Sequence, residues 1–294
     1  MGVDFFFVLS GRLMADILFI KKLALPEFFF RRFTRVYPGL LLFTVLASLL
    51  FYFTPLHVGV LAVLSTLTFT INYASIYFHH TGIFDHIWSL CIEEHSYLLL
   101  GFLAYLERRY KSAHVRIVIL MIAFLAIING LFQTSILGRD FYDVYWRTDV
   151  QCAPIFLSAY LFLVPRTNRG LYLAPLFLLC ALFFKSELFG NSIVYSLGTI
   201  FLALSMGFLD QAPAFFKKAL SVAPLRQAGI WSYSLYLWQQ PFFELKKDGH
   251  YPIYWLLLGA ISCGLLSFYF IEKPVRTFLN ARKFYIGKRP CIEN

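Results

Sequence analysis

Long apolar runs constrain this chain more than any other feature of its sequence. They are about 17 to 20 residues long, the length that an α-helix needs to span the hydrocarbon core of a bilayer. Of the 294 residues, 59% are hydrophobic and 14% are charged, whereas about a quarter of the residues in a soluble domain are charged. The sequence therefore predicts an all-α fold, a polytopic bundle of transmembrane helices.

Charge and cysteine usage narrow the functional class. The net charge of +10 is compatible with nucleic-acid binding, but the basic residues lie between the apolar runs, as they do in the cytoplasmic loops of membrane proteins. We therefore expect a lipid bilayer, and not nucleic acid, as the partner. The five cysteines show no CxxC or Cys/His spacing, so we expect neither a disulfide framework nor a metal site. No cleavable signal peptide is visible, because the first residues lack positive charge.

Ten apolar segments are visible along the chain. They cover residues 3–20, 38–53, 58–77, 88–106, 117–132, 150–164, 171–184, 193–209, 230–243 and 251–271. If every segment crossed the membrane, the basic loops 21–37 and 108–116 would lie on opposite sides, against the positive-inside rule. A re-entrant or broken segment among residues 55–87 removes this conflict, and irregular backbone at that depth requires surrounding protein or a polar cavity.

The expected organisation follows from this reasoning. We predict about nine crossings and one re-entrant or broken segment, with the N-terminus outside and the C-terminus cytoplasmic. The whole chain, residues 1–294, is expected to form a single transmembrane domain. Residues 272–294 are expected to form its basic cytoplasmic tail.

The helix that is expected to begin at Trp88 carries unusual chemistry for a membrane segment. The stretch from Phe84 to Leu100 reads FDHIWSLCIEEHSYLLL, with His86 just before the helix and Glu93 and Glu94 inside it. Carboxylates at membrane depth are costly, so they are usually paired, hydrated or functional. This helix is therefore the first candidate for a functional site.

The two carboxylates of this helix point in different directions. Glu93 shares a helix face with Tyr97, four residues later, which leaves Glu94 as the interfacial charge. Glu93 is either the structural partner of an intramembrane arginine such as Arg12, or a general base acting on a hydroxyl group. Arg12 also has a partner within reach in Asp16, four residues along its own helix. The residues alone leave these alternatives open.

Three further stretches are open to a functional interpretation that the sequence alone does not establish. FFFRRFTRVYP, residues 28–38, is either an orientation anchor at the inner interface or a site for a phosphate-bearing ligand, because guanidinium groups match phosphate geometry. The polar and aromatic residues 135–149 suit contact with carbohydrate or a lipid headgroup, but an interfacial aromatic belt has the same composition. SYSLYLWQQP, residues 232–241, carries two amides before a proline, a pattern compatible with a helix break that lines a cavity.

Four stretches together resemble the acyltransferase-3 family, integral membrane enzymes that O-acetylate bacterial surface polysaccharides. They are GVDFFFVLSG (2–11), FFFRRFTRVYP (28–38), HIWSLCIEEHSYLL (86–99), and SYSLYLWQQP with YFIEKPVRTFL near the C-terminal end. Each motif alone is a weak signal, but the ordered set covers nearly the whole chain. The resemblance implies a multi-pass enzyme of the bacterial inner membrane. It would move an acyl group, acetyl in the first instance, from cytosolic acyl-CoA to a hydroxyl of a glycan or lipid-linked saccharide such as O-antigen.

The resemblance also implies roles for particular residues. Glu93 and His86 would be catalytic, and acyl-CoA, a co-substrate and not a bound cofactor, would be held by three arginines, Arg31, Arg32 and Arg35. Side chains that support the substrate or the site would be Trp88, Ser89, Tyr97, Ser10 and Gln239.

The chain departs from the family pattern at several positions. Family members begin with an additional helix that carries an arginine and a histidine, and this sequence begins after it. The family's Trp-His-x-Pro reads WQQP at residues 238–241, and TDVQCA at residues 148–153 lacks the Arg-x-Asp that usually follows Thr-Asp. A truncated or inactive family member is therefore the alternative function. A transporter-like protein is a weaker alternative, because the paired, Gly/Pro-interrupted repeats of such proteins are not visible.

Overall fold

The computed structural model describes residues 2–54, 56–78, 82–112, 114–164, 170–186, 188–247, 249 and 251–286, with side chains described up to residue 281. Every regular element in these ranges is a helix, which confirms the all-α prediction. The chain divides into two compact units, each built from separate stretches. Unit 1 comprises Met1–Leu25, Asn72–His79 and Trp88–Val222, and unit 2 comprises Pro26–Ile71, His80–Ile87 and Ala223–Asn294.

The helices follow one another with short connections. In chain order they are α1 (Gly2–Ala15), α2 (Leu25–Leu50), α3 (Val60–Leu67), α4 (Ile71–Phe78), α5 (Trp88–Tyr110), α6 (Val115–Ser135), α7 (Phe141–Tyr145), α8 (Thr148–Gln151), α9 (Ala153–Leu163), α10 (Leu173–Phe184), α11 (Asn191–Ile193), α12 (Thr199–Gly207), α13 (Ala214–Leu220), α14 (Ala223–Lys247), α15 (Ile253–Ser267) and α16 (Lys273–Ile286). Short π-helical segments occupy Asp16–Ile20, Val194–Gly198 and Phe268–Glu272, and 3₁₀ segments occupy Gly82–Ile87 and Leu209–Gln211.

Three helical stretches are long and apolar enough to cross a membrane by length and composition. They are Leu25–Leu50, Val115–Ser135 and Ile253–Ala281. The region predicted to be re-entrant or broken, residues 55–87, contains α3 and α4, two helices of eight residues each. Each is about 12 Å long, too short to cross a hydrocarbon core alone. The interruption is therefore present, and Pro55 and residues 79–81 of this region lie outside the described residues.

The loop predicted for residues 21–37 is wrong in most of its length. Only residues 21–24 lie outside helices, and α2 continues through Pro38. Pro26 does not prevent the helix, because it lies in the first turn, where no N–H is needed for an intrahelical hydrogen bond. The break predicted at residues 232–241 is also absent, since α14 continues through Pro241. Neighbouring helices make interior prolines tolerable in membrane helices.

Helix α1 lies very close to α9 in unit 1. A Cβ atom on Gly11 would overlap the backbone carbonyl of Ile155, so this approach depends on glycine. The hydroxyl of Ser158 donates a hydrogen bond of 2.6 Å to the carbonyl oxygen of Val8. Small residues and hydroxyl bonds of this kind are the usual means by which membrane helices pack.

A buried ion pair fixes the start of α1. Lys185 Nζ lies 3.3 Å from Asp4 Oδ1, and both side chains are 3% exposed. The hydroxyl of Tyr145 donates to Asp4 Oδ2 at 3.1 Å. The first turn of α1 is thereby joined to the end of α10 and to α7, all within unit 1.

The pairing predicted between Arg12 and Asp16 is wrong. Arg12 donates two hydrogen bonds to the carboxylate of Asp210, at 2.6 and 2.7 Å, and one to the carbonyl oxygen of Met206. Asp16 instead pairs with Lys21. Asp16 begins the π-helical segment that ends at Ile20, just before Lys21.

A buried carboxylate also joins the helices of unit 2. Glu272 accepts hydrogen bonds from Ser234 at 2.7 Å and from Ser267 at 2.9 Å. A Cβ atom on Gly39 would lie 3.0 Å from the carboxyl carbon of Glu272. Helix α2 therefore packs tightly against the junction of α15 and α16.

Candidate active site

Glu93 lies in the second turn of α5 and is 2% exposed. Its Oε1 atom accepts a hydrogen bond of 3.1 Å from the hydroxyl of Ser10 on α1 and a second one from the hydroxyl of Tyr97, one turn later on α5. We call these three residues the Glu93 cluster. Two hydroxyl donors fix the orientation of the carboxylate and offset part of the cost of burying it.

The neighbouring residues of α5 have different surroundings. Glu94 is half-buried, which agrees with the expectation that Glu93 is the more deeply placed carboxylate. His95 Nδ1 lies 2.9 Å from the hydroxyl oxygen of Thr148. Arg12 pairs with Asp210, so of the two alternatives for Glu93, the one that made it the structural partner of Arg12 does not hold.

Trp88 forms an aromatic wall at the start of α5. Its ring meets Phe7 edge-on at 6.1 Å between centroids and stacks with Trp146 at 6.3 Å. The ring of Tyr145 lies 5.0 Å away. Ser89 is buried beside it. Both residues therefore lie in unit 1 with the Glu93 cluster, and their supporting role stays a prediction.

His86 is buried in unit 2, in the 3₁₀ segment before α5. Its ring meets Phe43 edge-on at 5.5 Å and lies 5.0 Å from Tyr236, whose hydroxyl donates to the His86 carbonyl oxygen. The ring nitrogens form no hydrogen bond of normal geometry with any described residue, although backbone groups of Ile83 and Leu237 lie close to the ring. A neutral imidazole can donate a hydrogen bond through one ring nitrogen and accept one through the other.

Trp238 is a candidate that the sequence reasoning missed. It is 7% exposed and meets the same Phe43 ring edge-on at 5.4 Å. Its Nε1–H has no hydrogen-bond partner among the described residues, although a buried indole N–H usually has one. Its place directly before Gln239 in the WQQP motif was the signal for it. Gln239 itself lines a cavity of about 420 Å³ between α14 and α15.

The three arginines predicted to hold acyl-CoA lie on α2, in unit 2. Arg31 and Arg35 are exposed and one turn apart, so they share a face, while Arg32 is half-buried. Arg31 pairs with Glu27, four residues earlier. The hydroxyl of Thr34 lies between these arginines in sequence and donates to the carbonyl oxygen of Arg31 at 3.1 Å. The side chains therefore form a basic surface on a helix and not, as predicted, in a loop.

Asp149 is the centre of a polar network whose members the sequence analysis did not group together. The carboxylate accepts hydrogen bonds from Tyr73 at 3.1 Å, from Asn129 at 2.8 Å and from the guanidinium of Arg147 at 3.0 and 3.1 Å. The Thr-Asp pair at residues 148–149 is the sequence feature that could have indicated this network. Because the carboxylate is so fully hydrogen-bonded, it organises the polar end of this region and is poorly suited to proton transfer. No group of three or more metal-binding side chains occurs in the part of the chain that the structure describes.

Comparison with known proteins gives a consistent result. A family model of the acyltransferase domain, Acyl_transf_3, matches residues 1–272. The chain is 29% identical to YrhL of Bacillus subtilis over 94% of its length, and 27% identical to the peptidoglycan O-acetyltransferase OatA of Listeria monocytogenes over 99%. It is also 27% identical to the O-acetyltransferase OatA of Staphylococcus aureus over 94%. The chain covers 50%, 54% and 52% of these proteins, so it spans about half the length of the curated relatives it matches. No solved structure matches.

Proposed function

The chain belongs to the acyltransferase-3 family, and on this premise we propose that it is a membrane O-acyltransferase. It transfers an acyl group, acetyl in the first instance, from cytosolic acyl-CoA to a hydroxyl of a cell-surface glycan. The Listeria relative is named a peptidoglycan O-acetyltransferase, so peptidoglycan, or its lipid-linked precursor, takes the place of O-antigen as the first acceptor to test.

The Glu93 cluster is the observation that carries this proposal. A buried carboxylate held by two hydroxyl groups is suited to receive a proton from a third hydroxyl, that of the acceptor sugar. As the proton moves to Glu93, the sugar oxygen attacks the thioester carbonyl. The new ester bond forms, the carbon–sulfur bond breaks, and CoA leaves as a thiolate that takes up a proton.

His86 is the second candidate for the general base. Its imidazole is buried among aromatic rings and backbone groups, and such surroundings disfavour the protonated ring. The hydroxyl contacts of the carboxylate favour Glu93 as the base.

The arginines of α2 are assigned to the phosphates of acyl-CoA. The Arg31→Gln/Arg35→Gln variant is expected to raise the KM for acetyl-CoA roughly tenfold with little change in kcat, because charge-assisted hydrogen bonds to phosphate contribute to binding in ground and transition states alike. The control is Arg226→Gln, which removes an exposed positive charge from the start of α14. An unchanged KM, or an equal rise in the control, contradicts this assignment. Initial rates over a range of acetyl-CoA concentrations measure both parameters.

The proposed topology retains about nine crossings, an outer N-terminus and a cytoplasmic C-terminus. Arg108 donates hydrogen bonds to the carbonyl oxygens of Leu18 and Leu23, at 2.7 and 3.0 Å. The start of the loop between α5 and α6 therefore lies at the same end of unit 1 as residues 21–24. This arrangement supports placing both basic segments on the cytoplasmic side of the membrane.

Cysteine labelling tests this topology. In intact cells, a membrane-impermeant maleimide is expected to label Asp140→Cys, which lies beyond the far end of α6, and not Lys111→Cys. Permeabilisation should expose Lys111→Cys to the reagent. The unsubstituted chain gives the background, since it contains free cysteines of its own. Labelling of Lys111→Cys from outside would refute the proposed orientation.

Mass spectrometry of cell-wall glycans tests the function itself. Cells that express the chain are expected to contain more alkali-labile O-acetyl esters on their glycan than otherwise identical cells that lack it. An unchanged ester content would favour the alternative of an inactive family member.

A further inference from the structure

A cavity at one end of unit 1 holds none of the residues to which the proposed transfer reaction assigns a role. Its volume is about 610 Å³, and it lies between the end of α1 and the connection from α5 to α6. Four of its lining side chains are basic, Lys22, Arg108, Lys111 and Arg116, and one is acidic, Glu107. We call it the basic cavity.

The wall of the basic cavity is held in place by Arg108. Two of its guanidinium nitrogens donate to the carbonyl oxygens of Leu18 and Leu23, at 2.7 and 3.0 Å. Its Nε atom is buried and has no hydrogen-bond partner among the described residues. Carbonyl groups bind a guanidinium but do not neutralise it, so a full positive charge remains at the cavity wall.

The other basic groups are similarly uncompensated. None of the four forms an ion pair with an acidic residue in the described ranges. Helix α6 begins at Val115 with no acidic residue in its first turn, and Arg116 lies there instead. A cation in this position is unfavourable beside the positive end of the helix dipole, whereas an anion would be stabilised by the dipole and the side chains together.

The two lysines of the cavity also share a backbone conformation. Lys22 and Lys111 both have φ of 50°, in the left-handed region that residues with a Cβ atom rarely adopt. Both line the basic cavity. Each follows the end of a helical segment, where a residue in the left-handed conformation commonly ends the helix, so these two helix ends form part of the cavity wall.

From this arrangement we propose that the basic cavity binds a phosphate-bearing ligand. Guanidinium and ammonium groups that converge on a concave surface match the charge and the oxygen geometry of phosphate. The positive-inside rule accounts for basic residues on one side of the membrane, but not for their convergence around a single cavity. The phosphate belongs either to the headgroup of an anionic phospholipid or to a soluble nucleotide such as CoA. The lipid alternative stands independently of the acyl-transfer reaction, whereas the CoA alternative rests on the use of acyl-CoA proposed above.

The full chain in nanodiscs allows both sources to be tested. One arm measures CoA binding by calorimetry in phosphatidylcholine nanodiscs, and the other measures phosphatidylglycerol retained on the protein by native mass spectrometry. The variant is Lys111→Gln/Arg116→Gln, both exposed residues of the cavity. The control is Lys21→Gln/Arg109→Gln, which removes the same charge from exposed residues that do not line it.

The expected result is at least about tenfold weaker binding of one probe by the cavity variant, with the control within about twofold of the unsubstituted chain. If the cavity variant weakens the binding of phosphatidylglycerol alone, the ligand is a lipid headgroup. If it weakens the binding of CoA alone, the ligand is a soluble nucleotide. The proposal is overturned if neither probe is weakened, or if the control weakens both equally. The single variant Arg116→Gln, with the milder change, repeats the test should the double variant be recovered in low yield.

Discussion

Replacement of Glu93 by glutamine is expected to lower the rate of glycan O-acetylation by at least about 100-fold, because a positioned general base contributes roughly 10²–10⁴-fold to a rate. Glutamine has nearly the same shape, and its carbonyl oxygen can still accept the hydrogen bonds of Ser10 and Tyr97. It cannot, however, take a proton from the acceptor hydroxyl. The measurement is the initial rate of ester formation, normalised to the amount of protein that elutes as a single species on size exclusion.

Glu94 provides a matched control for this prediction. It is the next residue of α5 and is half-buried, so Glu94→Gln removes a carboxylate from the same helix without touching the Glu93 cluster. Its rate is expected to stay within about twofold, while Tyr97→Phe, which removes one of the two hydroxyl donors, is expected to give an intermediate loss. Equal losses in Glu93→Gln and Glu94→Gln would contradict the assignment.

Replacement of Lys185 by methionine is expected to destabilise the protein by about 3–5 kcal/mol, the cost of leaving one member of a buried ion pair uncompensated. The aliphatic part of the side chain is largely preserved, so the loss comes from the charge. The hydrogen bond that Tyr145 donates to Asp4 would remain, but the positive charge that neutralises the carboxylate would be lost. Unfolding in detergent, followed by tryptophan fluorescence, measures the change.

The double variant Asp4→Asn/Lys185→Met separates charge from packing. Because neither partner is then charged, much of the lost stability is expected to return. Lys246→Met, at an exposed position of α14, is expected to change stability by no more than about 0.5 kcal/mol. A double variant as unstable as Lys185→Met would show that the ion pair is not the cause.

Local patterns in the sequence predicted the features that depend on local geometry. The apolar runs gave the helices, and the i, i+4 spacing placed Glu93 and Tyr97 on one face of α5, where the structure joins them by a hydrogen bond. The positive-inside rule predicted an interruption within residues 55–87, and the structure shows one between α3 and α4.

The failed predictions came from local rules applied too strictly. The second apolar segment was taken to begin at Pro38, and a helix break was considered before Pro241, yet both prolines lie inside helices. Neighbouring helices and relaxed backbone bonding compensate for the missing N–H in such bundles. The pairing of Arg12 with Asp16 considered only neighbours on one helix, whereas Arg12 pairs with the distant Asp210.

Long-range contacts could not be predicted from one sequence. Asp210 lies 198 residues after Arg12, its partner, and Lys185 has no local pattern that points to Asp4. The basic cavity likewise joins Lys22 to Lys111, which are brought together only by the packing of unit 1. The roles of the site residues came from family resemblance, because spacing alone left Glu93 undecided between structure and catalysis.

Transfer of label from acetyl-CoA tests the central claim most directly. Inside-out membrane vesicles with and without the chain would receive [¹⁴C]acetyl-CoA and a peptidoglycan precursor, and the glycan would then be isolated and treated with mild alkali. We predict alkali-labile label on the glycan only in vesicles that contain the chain, and its loss with Glu93→Gln. Label that remains in CoA or free acetate, at the level seen without the chain, would contradict the proposal that this protein is an O-acyltransferase.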